Sequence, residues 1–216
     1  MQVRLPLDEQ GLEASVVFPD AAEGRTLSCL LVVPGLGAKE LGSLAAEAYR
    51  TWAEALAVEA AMAVASFVFS PIPPGPGPKR ALEMLGALVT ALREKRTWRG
   101  IWLAGFGEGG ALAICAGAYD QGIQGVACLG GPPELEEIGA LPLELVAAIP
   151  PRPLLMVYGA EDQRVPIPEA RRLAEAARGQ VELRILPGAD HNLRNDPRAG
   201  AIIIGWLERA GKMQGH

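Results

Sequence analysis

The chain has 216 residues, half of them apolar and 21% charged, a balance that supports a packed core and excludes a disordered chain. Twenty basic against 25 acidic residues leave a net charge of −5, so the sequence offers no electrostatic footprint for nucleic acid or an anionic lipid surface. The length suits one domain over residues 1–216, large enough to bury a core without staples.

The elements follow in a regular order. Residues 3–7 and 12–18 alternate loosely around DEQG and predict a β-hairpin. Residues 26–33 (TLSCLLVV) form a nearly continuous apolar run, the pattern of a strand buried on both faces. A helix is predicted over 41–60 and a second buried strand over 63–69. PIPPGPGPK at 71–79 cannot be regular structure, because proline supplies no amide donor. Helices at 80–95, 109–119, 168–177 and 197–210 alternate with strands at 100–105, 125–129, 154–158 and 181–186. Residues 131–153 have room for a loop with one short helix and no more. Strands alternating with helices imply a doubly wound α/β fold, with a mostly parallel sheet and antiparallel pairing at the leading hairpin.

Cys29, Cys115 and Cys128 all sit in apolar runs and are expected to be buried and reduced. Their spacings fit no zinc pattern, so no metal is expected. No apolar run approaches the ~20 residues of a membrane span. The opening MQVRLPLDEQ lacks the apolar centre of a secretory signal. The expectation is a cytoplasmic protein that engages neither membrane nor nucleic acid.

In a doubly wound sheet, ligands bind beyond the carboxyl ends of the strands. After strand 100–105 comes Gly105-Phe106-Gly107-Glu108-Gly109-Gly110, opening a helix. Two motifs compete for it. The dinucleotide fingerprint G-x-G-x-x-G matches letter for letter. It needs an acidic residue at the end of the next strand, where this chain has Gly130-Gly131-Pro132. No cofactor is therefore expected. The nucleophile elbow G-x-S-x-G is matched at Gly105 and Gly109, with Gly107 at the nucleophile position. Asp162 then follows one strand and His191 the next, so the chain order is elbow, acid, histidine.

On the motifs LLVVPGLG, LAGFGEGG, VYGAEDQRVP and LPGADH, the chain resembles the α/β-hydrolase superfamily. It is most similar to the compact, nearly lidless form seen in dienelactone hydrolases and small carboxylesterases or thioesterases. The resemblance runs from about residue 12 to about residue 210. It implies the α/β-hydrolase fold with a minimal lid, Asp162 and His191 as acid and base, and oxyanion donors at the amides of Glu108 and Leu36. Gly37 is an alternative for the second donor. Family members often carry His-Gly where this chain has Pro34-Gly35. The decisive departure is Gly107, because the family nucleophile is Ser, or Cys in dienelactone hydrolases. Glu108 lies one residue past the elbow. Ser43 and Ser66 are at no elbow, and Ser70 ends a strand near the mouth. Lys39, Lys79 and Arg164 are candidates for the rim of the pocket.

Three readings follow. The first is an acyl-ester hydrolase by ancestry that is inactive or very slow, because Gly107 replaces its nucleophile. The second is a pseudoenzyme, a non-catalytic protein that binds a small apolar ligand or a partner in the old pocket. The third keeps slow catalysis, with a water near Gly107 activated by His191 and Asp162.

Overall fold

A computed structural model describes residues 2–6, 13–20, 24–37, 43–69, 77–135 and 141–213. The strands are β1 (Gln2–Pro6), β2 (Glu13–Val17), β3 (Cys29–Val33), β4 (Ala63–Ser66), β5 (Ile101–Phe106), β6 (Ile123–Leu129), β7 (Leu154–Gly159) and β8 (Glu182–Leu186). The helices are α1 (Ser43–Ala60), α2 (Pro78–Lys95), α3 (Glu108–Tyr119), α4 (Pro142–Leu145), α5 (Ile167–Ala176) and α6 (Pro197–Met213). Together the strands form an eight-stranded sheet in the order β1-β2-β4-β3-β5-β6-β7-β8. Pairing is antiparallel between β1 and β2 and between β2 and β4, and parallel from β4 onward. The doubly wound sheet and its leading hairpin are as the sequence predicts. The turn of that hairpin lies outside the described residues.

The continuous apolar runs have a simple cause. In β3, Cys29, Leu31 and Val33 face a hydrophobic layer shared with Leu85, Leu88 and Leu112 of α2 and α3. Leu30 and Val32 face the opposite layer, with Tyr49 and Leu56 of α1 and Trp206 of α6. A strand sandwiched this way has no solvent face and so no polar alternation. β8 lies at the sheet edge and is different: it is only half-buried and carries Glu182 and Arg184, which suits an edge exposed to water.

Two strands are each three residues shorter than predicted. The run 26–33 becomes strand only at Cys29, the first residue flanked by partners on both sides, Ala63 and Ile101. The run 63–69 leaves the sheet after Ser66, which is also the last residue paired to β2. Conversely, α2 begins two residues early at Pro78, where a proline costs nothing because first-turn amides have no intrahelical acceptor.

The 131–153 segment contributes α4 and a single 3-10 turn, Val146–Ala148, that packs Val146 into the core beside α3 and α5. Its described residues thicken one helix layer, and none of them lines the pocket described below.

The chain winds from β3 outward to β4, then crosses back over β3 to β5. The crevice between the carboxyl ends of β3 and β5 is therefore the topological switch point, where open α/β sheets bind ligands.

Candidate active site

Two loops meet at that crevice. One is Pro34-Gly35-Leu36-Gly37 after β3. The other is the sharp turn from β5 into α3 at Gly107, which has φ +55° and ψ −130°. That backbone is costly for a side chain and cheap for glycine. The turn is held by Gly107 N–H donating to Leu129 O at 2.8 Å and Gly110 N–H donating to Gly107 O at 2.8 Å. Gly109 is required for a different reason: a β-carbon there would collide with the carbonyls of Val33 and Pro34. Small residues then continue along α3, which is buried from Gly109 to Ala118.

Asp162 stands in the loop after β7 and is buried. Its Oδ1 accepts the backbone amides of Arg164 (2.8 Å) and Val165 (3.0 Å). Its Oδ2 lies 2.8 Å from His191 Nδ1. A carboxylate only accepts, so Nδ1 carries the proton and the lone pair of Nε2 points away from Asp162. Nε2 faces the elbow: a β-carbon on Gly107 would stand 3.2 Å from it. The floor beneath the ring is the backbone of Gly130, whose own β-carbon would lie 3.6 Å from Nδ1 and Cε1.

The loop carrying His191 is stiffened locally. Asp190 Oδ1 accepts Asn192 N–H at 2.8 Å, and Leu193 N–H donates to His191 O at 2.9 Å. Glu161 N–H donates to Ala189 O at 2.9 Å, which ties the acid loop to the histidine loop. The asparagine amide and side chain hold the Asp190 carboxyl below its ordinary value.

Gly107, Asp162 and His191 are thus brought together as the sequence order implies. Leu36 and Glu108 are also adjacent, but through an unexpected contact: Leu36 N–H donates to Glu108 Oε2 at 3.4 Å. Glu108 directs its carboxylate at the loop after β3. Gly37 lines the same opening, as does Arg164. Lys79 is exposed on α2 and does not line the pocket. Ser66 is buried in the sheet. Lys39, Ser70 and the Ser43 side chain lie outside the described residues.

The pocket has a volume of about 350 Å³. Sequence reasoning missed its far wall. Tyr49 from α1 and Phe106 from the end of β5 line it; their rings pack 6.0 Å apart, and Trp52 meets Phe106 edge-on at 5.2 Å. Arg194 lies over the Tyr49 ring at 4.6 Å. Asn192 and Asn195 complete the wall. These two and Arg194 follow His191 within four residues, a signal that could have found them. Nothing local in α1 marks Tyr49. Among the described residues, no three His, Cys, Asp or Glu side chains cluster as metal ligands, and no helix is long and apolar enough to cross a membrane.

This is the α/β-hydrolase fold. A protein designated a dienelactone hydrolase from Klebsiella pneumoniae superposes with a TM-score of 0.78 at 18% identity, covering 97% of this chain and 98% of that one. An esterase from Pyrococcus furiosus gives 0.74 at 18% identity, over 97% and 91% of the two chains. A lidless α/β serine hydrolase from Xanthomonas campestris gives 0.72 at 21% identity, over 99% and 94%. No protein-family model and no curated protein matches the sequence.

Proposed function

We propose that the chain is an acyl-ester hydrolase by ancestry that has lost its covalent step and retains a slow, water-based one. The observation that carries this reading is His191, held by Asp162 at 2.8 Å with Nε2 turned to the elbow at Gly107. Glycine has no hydroxyl or thiol to attack an acyl carbon, so no acyl-enzyme forms at this position. A water in front of Gly107 gives its proton to Nε2 while its oxygen bonds to the ester carbonyl carbon. The tetrahedral adduct then collapses, and the departing alkoxide takes the proton back from Nε2. The products are an acid and an alcohol, and His191 is regenerated.

Positioned amides and a binding pocket alone supply about 10³-fold acceleration over water in serine proteases stripped of a triad member. The rate expected here is at most of that order. Hydrolysis of p-nitrophenyl acetate by the purified protein tests it. His191→Ala should lower the rate, because the water then has no base, to what the amides and pocket supply alone.

The aromatic wall of Tyr49 and Phe106 favours a second reading, in which a small apolar ligand is held without turnover. In that case the parent chain and His191→Ala give the same background rate. Both readings place a small molecule in the pocket and call for no cofactor.

A further inference from the structure

Glu108 is the first residue of α3, so its backbone amide belongs to the helix turn whose N–H groups lack intrahelical acceptors. That amide and Leu36 N–H are the two donors that an acyl oxyanion needs in the proposed reaction. The side chain of the same residue already engages the second donor, since Oε2 accepts Leu36 N–H at 3.4 Å. A carboxylate oxygen therefore engages one of the two donors that would face the charge developing on a substrate carbonyl, and the helix N-terminus favours an anion there.

We propose that Glu108 is a specificity-determining residue whose carboxylate occupies the oxyanion position from within, so that an acyl group engages Leu36 only by displacing it. This rests on the acyl-ester reading of the pocket. The contact is longer than the usual 2.7–3.2 Å of an N–H···O bond, so it holds the position weakly and yields to a competitor. A neutral ester carbonyl can compete. A carboxylate brings a second negative charge against the first and is excluded. Glu108 thus filters for uncharged acyl groups and slows them. The glycine at 107 removes the nucleophile, and the glutamate at 108 obstructs the hole, so the two neighbours limit turnover independently.

Amide NMR and kinetics test this on the intact chain, with butyrate as the anionic probe. The Leu36 amide proton should move upfield in Glu108→Ala, because its acceptor is gone. Butyrate should shift the same resonance in Glu108→Ala and leave it unmoved in the parent. Glu108→Gln, isosteric and uncharged, should fall between them. In a Gly107→Ser background, adding Glu108→Ala should raise kcat/KM for p-nitrophenyl acetate about 10- to 100-fold, less than the 10²–10³ that one oxyanion donor supplies in full. A Leu36 resonance indifferent to Glu108→Ala overturns the proposal. So does a Gly107→Ser protein that is already as fast as the double variant, and that result leaves the hydrolase reading standing. If Leu36 responds as expected but neither variant turns over ester, the occupied position is established and the hydrolase reading fails.

Discussion

His191 Nε2 lies 3.2 Å, and Cε1 3.9 Å, from the point where a β-carbon on Gly107 would stand. The imidazole edge stands within contact distance of that point. A dinucleotide fingerprint uses its second glycine to let a pyrophosphate approach the backbone at the helix start. Here that approach is closed by the ring, although Gly105, Gly107 and Gly110 spell the motif. Calorimetry with NAD, NADH or FAD at micromolar concentrations should give no saturable heat. A one-to-one isotherm would mean that His191 leaves the turn and that the weaker motif is the operative one.

Asp162 joins stability to chemistry. It holds two backbone amides through Oδ1 and the imidazole through Oδ2. Asp162→Ala strips both amides of a charged acceptor, at about 1.5–3 kcal/mol for such a bond. The expected loss in urea unfolding is on the order of 3 kcal/mol. Asp162→Asn keeps one acceptor oxygen and should cost less, but it no longer fixes the proton on Nδ1. It should therefore abolish His191-dependent ester hydrolysis while leaving the fold intact. Equal stability of the alanine variant and the parent would show that the amides find water instead.

The backbone of the site was legible in the sequence because each part sits at a strand end with its own signature. CLLVV reads as a doubly buried strand since both its faces meet helix layers. The elbow and Asp162 follow two more strands of that kind, β5 and β7, and His191 follows the edge strand β8. Strand limits were less legible: β3 starts where Ala63 and Ile101 both come alongside, and those partners are remote in sequence. Tyr49 and the Glu108 carboxylate were illegible for the same reason. Tyr49 looks like any residue on the apolar face of α1, and Glu108 meets Leu36 across 72 positions. Local pattern fixes what an element is; a pocket wall depends on which elements are neighbours.

The cysteines give a prediction with a clear readout. All three are free and buried. Burial pushes the thiols of Cys29 and Cys115 up to about 12 and that of Cys128 to about 11. The thiolate is the reactive species, so none should be labelled by a disulfide reagent in the native protein at pH 8. All three should react once the chain is unfolded in denaturant. Prompt native labelling of even one thiol contradicts the packing described here.

Asp120 at the end of α3 supplies a pH dependence. Burial acts to raise its pKa, but the Arg93 guanidinium, at 2.6 and 3.1 Å, and the Gly122 amide outweigh burial and hold it below the ordinary 3.8. A depressed carboxyl stabilises the fold fully above its unfolded value, and that contribution fades as the pH falls through the folded one. Arg93→Met should therefore lower the urea midpoint at pH 7 by an amount worth about 1 kcal/mol or less, since the pair is partly exposed. The two proteins should begin to converge as the pH falls below about 3.8 and meet only below the lower, folded value. A gap that widens on acidification would reverse the sign argued here.

Gly107→Ser carries the most direct test of the hydrolase reading. At φ +55° and ψ −130° a side chain is strained, so the substitution should cost about 1–3 kcal/mol of stability. The new β-carbon, 3.2 Å from Nε2, is also tight, and the imidazole must retreat by a few tenths of an ångström. It has room to do so, because its side chain is 18% exposed toward the pocket while Asp162 behind it is fully enclosed. The retreat leaves a hydroxyl beside Nε2, with Asp162 fixing the proton on Nδ1, which is the arrangement that activates a serine. Hydrolysis of p-nitrophenyl acetate should rise at least about 100-fold over the parent even with Glu108 still in the hole, given the roughly 10⁶-fold that separates an intact triad from its remnants. Adding His191→Ala should remove the gain, since the hydroxyl then has no base. A folded Gly107→Ser protein that hydrolyses ester no faster than its parent, with Glu108→Ala giving no rescue, would make ligand binding without turnover the better account of this pocket.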